Sequence, residues 1–212
     1  WLRAGLAALT ALVRQIDPKS VRAFAVDGTS GTVLPIDAAG TPLARALMYS
    51  DAVSDAAIAE RINACAPAAS AARGPTSGLA KALVFQSLPR VAHIVHQADW
   101  LAGLLSGKFD VSDENNALKT GYNPVRRQWP EWRGRAEMNM SLLPRVVAAG
   151  TPIGPLSAAA SERLGLPAAA IVVAGTTDGC ASFLATGADM PGEGVTALGS
   201  SLTIKLLSDK PV

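Results

Sequence analysis

Apolar and polar residues follow one another along the chain in blocks that predict helices and short strands. Near the amino end, four apolar residues recur at the spacing of one helix face: Leu2, Leu6, Leu9 and Val13. This period predicts an amphipathic core helix that ends before Pro18, whose ring cannot continue it. Four further stretches have helical patterns bounded by Ser, Pro or Gly: 54–65, 76–86, 90–105 and 157–164.

Short apolar runs bounded by glycine predict strands. The runs 21–26 and 32–36 flank Asp27-Gly-Thr-Ser-Gly31 and predict a hairpin around it. A third run, 43–49, follows a second turn. Together the three runs predict an antiparallel meander.

The run Ile171-Val-Val-Ala174 predicts a buried strand, and Gly-Thr-Thr-Asp178 follows it directly. Asp178 therefore lies between that strand and a helix predicted over 181–186. A carboxylate in this position is rigidly held and faces a cleft, as a general base must. The alternative is a helix N-cap, because Asp is a favoured cap residue.

Composition restricts the class of protein. The 212 residues are 49% hydrophobic and 17% charged, with a formal net charge of +2. This balance is that of an ordinary globular protein, and the charge is too small to indicate a nucleic-acid partner. No apolar run reaches the length of a membrane span. Cys65 and Cys180 form no metal or disulfide motif, which favours a reduced, cytoplasmic compartment.

Two glycine-rich tips have the same chemical make-up, Gly28-Thr-Ser-Gly31 and Gly199-Ser-Ser201. The second lies in a hairpin predicted from the runs 194–198 and 202–207. Glycine lets backbone N–H groups approach a ligand and the hydroxyls add hydrogen bonds, so such tips suit phosphates or sugars. Tight turns use the same residues, so a purely structural role stays open.

Three polar features have two interpretations each. Lys81 lies in an apolar helical run and either extends to solvent or faces a cleft with anionic groups. The segment Asp113-Glu-Asn-Asn116 either caps a helix or lines a pocket. His93, His96 and Asp99 would share a face of the 90–105 helix, and we interpret them as polar decoration, because the chain offers no further metal ligands nearby.

Taken together, seven stretches in this order resemble the FGGY family of carbohydrate kinases. They are 26–34, 47–51, 76–81, 96–103, 111–119, 174–179 and 198–202. The motifs Asp27-Gly-Thr-Ser-Gly31 and Ser112-Asp-Glu-Asn-Asn116 most resemble those of the ketopentose kinases. Within that group they resemble the D-ribulokinase branch most, with xylulokinases as near relatives. The likeness extends over almost the whole chain.

The resemblance implies an α/β fold of the ribonuclease-H-like, actin-like ATPase type, with a mixed sheet flanked by helices. It implies that residues 1–190 form the sugar-binding domain without its first hairpin, and that 191–212 open the nucleotide-binding domain. The chain departs from the family by lacking an amino-terminal Asp-x-Gly-Thr phosphate loop, which is expected before Trp1. On this basis the chain resembles a fragment truncated at both ends, which we expect to be inactive by itself.

The resemblance also assigns roles. Asp178 matches the catalytic base. The sugar-side residues are Gly28, Thr29, Ser30, Gly31, Asp51 and Lys81, and the nucleotide-phosphate residues are Thr177, Gly199, Ser200 and Ser201. At the latter tip the family more often has Gly-Thr-Thr, and serine keeps the hydroxyl.

The implied reaction is ATP-dependent phosphorylation of a ketopentose hydroxyl, with Mg²⁺ and with the sugar and ATP as small-molecule partners. Asp178 would accept the hydroxyl proton as the alcohol attacks the γ-phosphorus. The alternatives are a non-catalytic sugar- or nucleotide-binding module and an ATPase with a protein partner. The polar clusters Tyr49-Ser-Asp51 and 112–116 disfavour the ATPase. The sequence does not distinguish a ribulose substrate from a xylulose substrate. It also leaves the oligomeric state open, with a homodimer as one candidate.

Overall fold

A computed structural model describes residues 1–198 and 202–210. Its helices are α1 (Leu2–Val13), α2 (Ala56–Cys65), α3 (Gly78–Phe85), α4 (Gln97–Ser106), α5 (Glu114–Ala117), α6 (Trp132–Arg135), α7 (Ala158–Leu164) and α8 (Asp178–Leu184). Its strands are β1 (Ala23–Phe24), β2 (Val33–Ile36), β3 (His93–His96), β4 (Val111–Asp113), β5 (Arg145–Val147), β6 (Pro152–Pro155), β7 (Ile171–Val173), β8 (Gly194–Leu198) and β9 (Leu202–Leu206). Three short 3₁₀ helices lie at Pro18–Ser20, Leu118–Thr120 and Met140–Leu142.

The described strands form small sheets of mixed direction. One sheet has the order β1-β7-β6, in which β1 and β7 are parallel and β6 is antiparallel to β7. Three pairs complete the set: β2 with β3 antiparallel, β4 with β5 parallel, and β8 with β9 antiparallel. The predicted mixed α/β class and the predicted second hairpin are therefore confirmed.

The predicted first hairpin is wrong. Ala23 and Phe24 pair in parallel with Ile171 and Val172, far along the chain, rather than with 32–36. The later half of the meander is present, because the backbone groups of Val33 and Leu47 exchange hydrogen bonds of 3.0 and 2.9 Å. The strands predicted over 21–26 and 32–36 are present in shortened form, but the tertiary fold determines the partner of the first one. The run 43–49 forms no strand, and only an isolated bridge joins Leu47 to Val33.

The predicted helix over 90–105 is also wrong in its first half. His93–His96 form β3, and only then does α4 begin. Ile94 and Val95 are β-branched and pack into the core opposite β2, which favours the extended form. His93, His96 and Asp99 therefore do not share one helix face.

Capping residues define most helix ends as the sequence indicates. Ser77 and Ser157 accept hydrogen bonds from the backbone at the starts of α3 and α7. Gly107 and Gly165 end α4 and α7 in the left-handed conformation. At α2 the cap is Asp55, at 3.0 Å from the Ala57 N–H, and not Ser54.

Two larger apolar clusters and a smaller one support the sheets. One packs α2, α3 and β3 around Ile62 and Leu79, and another packs α4 and α7 against Val172. A third surrounds Val95 and Trp100. Helix α1 contributes half-buried side chains to the second cluster. In the part of the chain that is described, no helix has the length and apolar character needed to cross a membrane.

Candidate active site

Asp178 is the first residue of α8, and the helix cap is its neighbour Thr177. The Thr177 hydroxyl oxygen accepts a hydrogen bond from the Cys180 N–H at 3.3 Å. The Asp178 side chain is exposed, and its Oδ1 accepts from the Gly179 N–H at 2.7 Å. The N-cap interpretation of Asp178 is therefore wrong, and its carboxylate is accessible to a substrate.

The backbone of the Gly28 loop lies directly beside Asp178. The Gly28 N–H donates to the Thr176 carbonyl at 3.3 Å, and the Asp178 N–H donates to the Gly28 carbonyl at 2.9 Å. These bonds prolong the parallel pairing of β1 and β7 past the strand ends. The fold thus joins the sugar-side stretch and Asp178, which are far apart in the sequence.

Gly175 makes this close approach possible. A Cβ atom at Gly175 would lie 2.0 Å from the Val26 carbonyl oxygen, well inside van der Waals contact. A side chain would therefore force the β1 and β7 extensions apart. Gly28 has a similar constraint, since a Cβ there would lie 2.9 Å from the Ala98 nitrogen.

Side chains at the start of α4 and just before β2 hold the loop from Gly28 to Gly31. The N–H and hydroxyl of Thr29 both donate to Gln97 Oε1 at 3.0 Å. The hydroxyls of Thr29 and Thr32 are 2.5 Å apart. Ser30 is half-buried in the same loop, and Gly31 is buried with φ +81°, which favours glycine. These hydrogen bonds therefore preorganise the loop.

Lys81 supports this loop from inside the protein. It is completely buried, and its Nζ donates to the carbonyls of Gly31 at 2.7 Å and Met48 at 2.6 Å. Burial lowers the pKa of Lys81 to about 8, against a smaller upward effect of Asp51. The interpretation that Lys81 extends to solvent is wrong, and the two contacts that the structure gives its ammonium are to the protein's own backbone.

Asp51 closes the neighbouring turn. Its Oδ2 accepts from the Met48 N–H at 2.8 Å, and its side chain is half-buried. Met48 is thus held at its N–H by Asp51 and at its carbonyl by Lys81. Asp51 and Lys81, two of the six residues predicted to contact the sugar, therefore lie together around one turn beside the Gly31 loop.

The Asp113–Asn116 segment both caps a helix and reaches the Asp178 loop. Asp113 Oδ1 accepts from the backbone N–H groups of Asn115 and Asn116 at 2.9 Å. Burial raises the pKa of Asp113, and the charge of Asp99 adds to this increase. The Asn115 and Asn116 amides donate to the hydroxyl and carbonyl of Thr176 at 2.8 and 3.1 Å. The sequence showed a polar cluster after a strand but not its partner.

His96 lies in a separate buried network. Its Nδ1 is 2.6 Å from Asp99 Oδ2, and its Nε2 is 2.9 Å from the Thr120 hydroxyl. These contacts connect β3 with the segment that follows α5. Among residues 1–198 and 202–210, no group of three or more His, Cys, Asp or Glu is arranged to hold a metal ion.

A cleft of about 920 Å³ opens beside the Asp178 loop. Thr176 and Cys180, which flank Asp178 in the sequence, line it, together with Asp27 and Asn115 on one side and Lys205 of β9 on another. Lys205 Nζ also contacts the Gly179 carbonyl. Lys205 is not among the predicted site residues, because nothing in the strand pattern distinguishes it from a surface lysine.

The predicted nucleotide-phosphate residues Gly199, Ser200 and Ser201 lie outside the described residues. The strands on either side of them are described, and Leu198 pairs with Leu202 in the β8–β9 hairpin.

Comparison with known proteins identifies the fold of the chain. No family model matches it. The chain is nevertheless similar over its whole length to the ligand-bound xylulose kinase from Lactobacillus acidophilus, with a TM-score of 0.85 at 18% identity, and it spans 45% of that protein. The fold is that of the FGGY carbohydrate kinases, which have the actin-like ATPase fold, and the predicted resemblance is confirmed.

Two curated relatives are similar in sequence. The ribulokinase of Halalkalibacterium halodurans is 28% identical over 92% of this chain, which spans 40% of the relative. The autoinducer-2 kinase of Yersinia enterocolitica is 32% identical over 127 residues, or 52% of this chain and 24% of the relative. The chain thus spans less than half the length of each of these two relatives.

Proposed function

We propose that the protein transfers the γ-phosphoryl group of ATP to a hydroxyl of a ketopentose, with Asp178 as general base. The observation that carries this proposal is the position of Asp178: an exposed carboxylate whose own N–H is bonded to the Gly28 carbonyl, next to a cleft. Relatives named for kinases of ribulose and xylulose support the same class of substrate.

Asp178 would act on the sugar hydroxyl. An alcohol is a weak nucleophile, and a carboxylate within hydrogen-bonding distance accepts its proton as the new P–O bond forms. The Asp178 side chain can do this without a conformational change, because it is already exposed. Its backbone is fixed on both sides, by the bond to Gly28 and by the Thr177 cap.

The sugar would lie on the Gly28–Gly31 loop. Gly28, Thr29, Ser30 and Gly31 would supply backbone and hydroxyl groups, with Asp51 beside them. Lys81 would act indirectly, because its buried ammonium holds the carbonyls of Gly31 and Met48 rather than pointing to a ligand. A preorganised loop of this kind binds a polyol without first paying the entropy of ordering itself.

ATP would enter with Mg²⁺, which neutralises phosphate charge during transfer. In our proposal residues 1–190 form the sugar-binding domain and 191–212 begin the nucleotide-binding domain. Gly199, Ser200 and Ser201, which come between β8 and β9 in the sequence, would contact the phosphates, and Thr177 would do so from the start of α8. Closure of two domains on the cleft would exclude water and suppress hydrolysis of ATP.

The test is sugar-stimulated ADP formation by the full-length protein with D-ribulose, D-xylulose, L-ribulose and glycerol. We expect stimulation by a ketopentose, and a loss of about 10²–10⁴-fold in Asp178→Ala, the usual cost of removing a positioned base. Asp110→Asn removes an exposed carboxylate on another loop and is the control. Near-normal turnover by Asp178→Ala would refute the base assignment. Sugar binding without any turnover by the wild type would favour a non-catalytic binding module.

A further inference from the structure

We propose that Lys205 is a second charged residue of the reaction centre, where its ammonium binds the phosphoryl group that is transferred from ATP. The inference rests on the proposed function and extends it to a residue of another strand. Lys205 lies in β9 and belongs to none of the glycine-rich tips.

Lys205 supplies the positive charge in the lining of the cleft. Among the described residues that line it, the charged side chains are Asp27, Asp189 and Lys205, so Lys205 is the one cation. A triphosphate entering beside two carboxylates meets repulsion, and an ammonium within reach offsets it.

Lys205 and Asp178 both contact the backbone of Gly179. Asp178 Oδ1 accepts from the Gly179 N–H at 2.7 Å, and Lys205 Nζ donates to the Gly179 carbonyl. The carboxylate that would take the proton and the ammonium that would bind the phosphate are therefore separated by a single glycine. A lysine ammonium has three N–H donors, so the bond to Gly179 leaves two for phosphate oxygens.

The side chain of Lys205 is half-buried, and it shares the cleft lining with apolar residues such as Phe183 and Leu206. Partial burial leaves its charge less screened than that of a fully exposed lysine. A purely structural role would be to tie β9 to α8, and that role predicts an effect on stability but none on phosphate binding.

The experiment measures two quantities on the full-length protein: the affinity for the Mg²⁺ complex of adenylyl imidodiphosphate, by calorimetry, and steady-state sugar phosphorylation. For Lys205→Met we expect at least a tenfold weaker analogue affinity and a fall in kcat of about 10²-fold, the usual cost of losing one donor to a developing anion. The KM for sugar should stay within about twofold, since Lys205 faces the phosphate. Lys205→Arg keeps the charge and should recover part of the loss.

Two further variants guard against a simple folding defect. Lys210→Met removes an exposed lysine five residues along and should match the wild type. Gly179→Ala retains the charge but places a methyl group 3.2 Å from Lys205 Nζ, which displaces the ammonium. It should weaken analogue binding in a protein whose melting temperature is close to that of the wild type.

The outcomes separate this proposal from the proposed function. If Lys205→Met and Lys210→Met bind the analogue equally and turn over equally, the Lys205 proposal is overturned, whether or not the wild type is a sugar kinase. A wild type that binds no analogue overturns it as well. If no sugar stimulates ADP formation but Lys205→Met still loses analogue affinity, the kinase proposal fails and the phosphate contact stands.

Discussion

The buried ammonium of Lys81 makes the stability of this protein depend on pH in a direction that the structure specifies. Lys81 is completely buried against the Gly31 and Met48 carbonyls. Burial lowers its pKa from 10.5 to about 8, opposed by the charge of Asp51 and assisted by that of Lys119. In the unfolded chain the side chain regains water and its ordinary pKa.

The sign follows from proton binding. Between pH 8 and 10.5 the unfolded chain holds a proton on Lys81 that the folded chain has released, so stability rises with pH in that window. With these two pKa values, the gain between pH 7.5 and 9.5 is about 2 kcal/mol. A neutral amine still has two N–H donors, enough for both carbonyls, so the loop contacts survive deprotonation.

The assay is urea unfolding of wild type and Lys81→Met at pH 7.5, 8.5 and 9.5, followed by tryptophan fluorescence. Other titrating groups cancel in the difference between the two proteins. We expect the wild type to gain about 2 kcal/mol relative to Lys81→Met over this range. Lys19→Met, at an exposed position, controls for removal of a lysine. A difference that stays constant with pH would show that the ammonium is not desolvated as argued.

Two predictions concern the packing around the site. Gly175→Ala places a Cβ 2.0 Å from the Val26 carbonyl, so it should lower the free energy of unfolding by at least about 2 kcal/mol. Gly134→Ala, at a glycine without a positive φ and with no atom within 4 Å of the added Cβ, should cost less, and equal losses in denaturant titrations would contradict the argument. Thr120→Val leaves His96 Nε2 without its hydroxyl partner inside the protein and should cost about 1–3 kcal/mol, measured in the same way. An unchanged midpoint would mean that water replaces the hydroxyl.

Several features of the fold were accessible from local patterns. The glycine stops at Gly107 and Gly165 depend on neighbouring backbone groups, and both were predicted, whereas the serine cap predicted at Ser54 is Asp55 in the structure. The strand that precedes Asp178 was predicted from a continuous apolar run. These features follow from interactions within a few residues, which the sequence states directly.

The errors share one cause, which is competition from distant partners. The segment His93–His96 was predicted as helix, but pairing with β2 made it a strand. Residues 21–26 were predicted to pair with 32–36, but Ala23 and Phe24 pair with β7 instead. Which strands pair depends on what the rest of the chain buries, and local periodicity contains no information on that choice.

The amino-acid sequence by itself determined the class of fold, the position of Asp178 after a buried strand, and the glycine and hydroxyl chemistry of the Gly28 loop. Only the tertiary structure decided that the Gly28 carbonyl holds the Asp178 N–H, that Lys81 is buried beneath the sugar-side loop, and that Lys205 meets Gly179. The physical reason is that propensity, capping and turn chemistry act over a few residues. A reaction centre, in contrast, forms where segments far apart in the chain are packed together, and those contacts exist only once the core has folded.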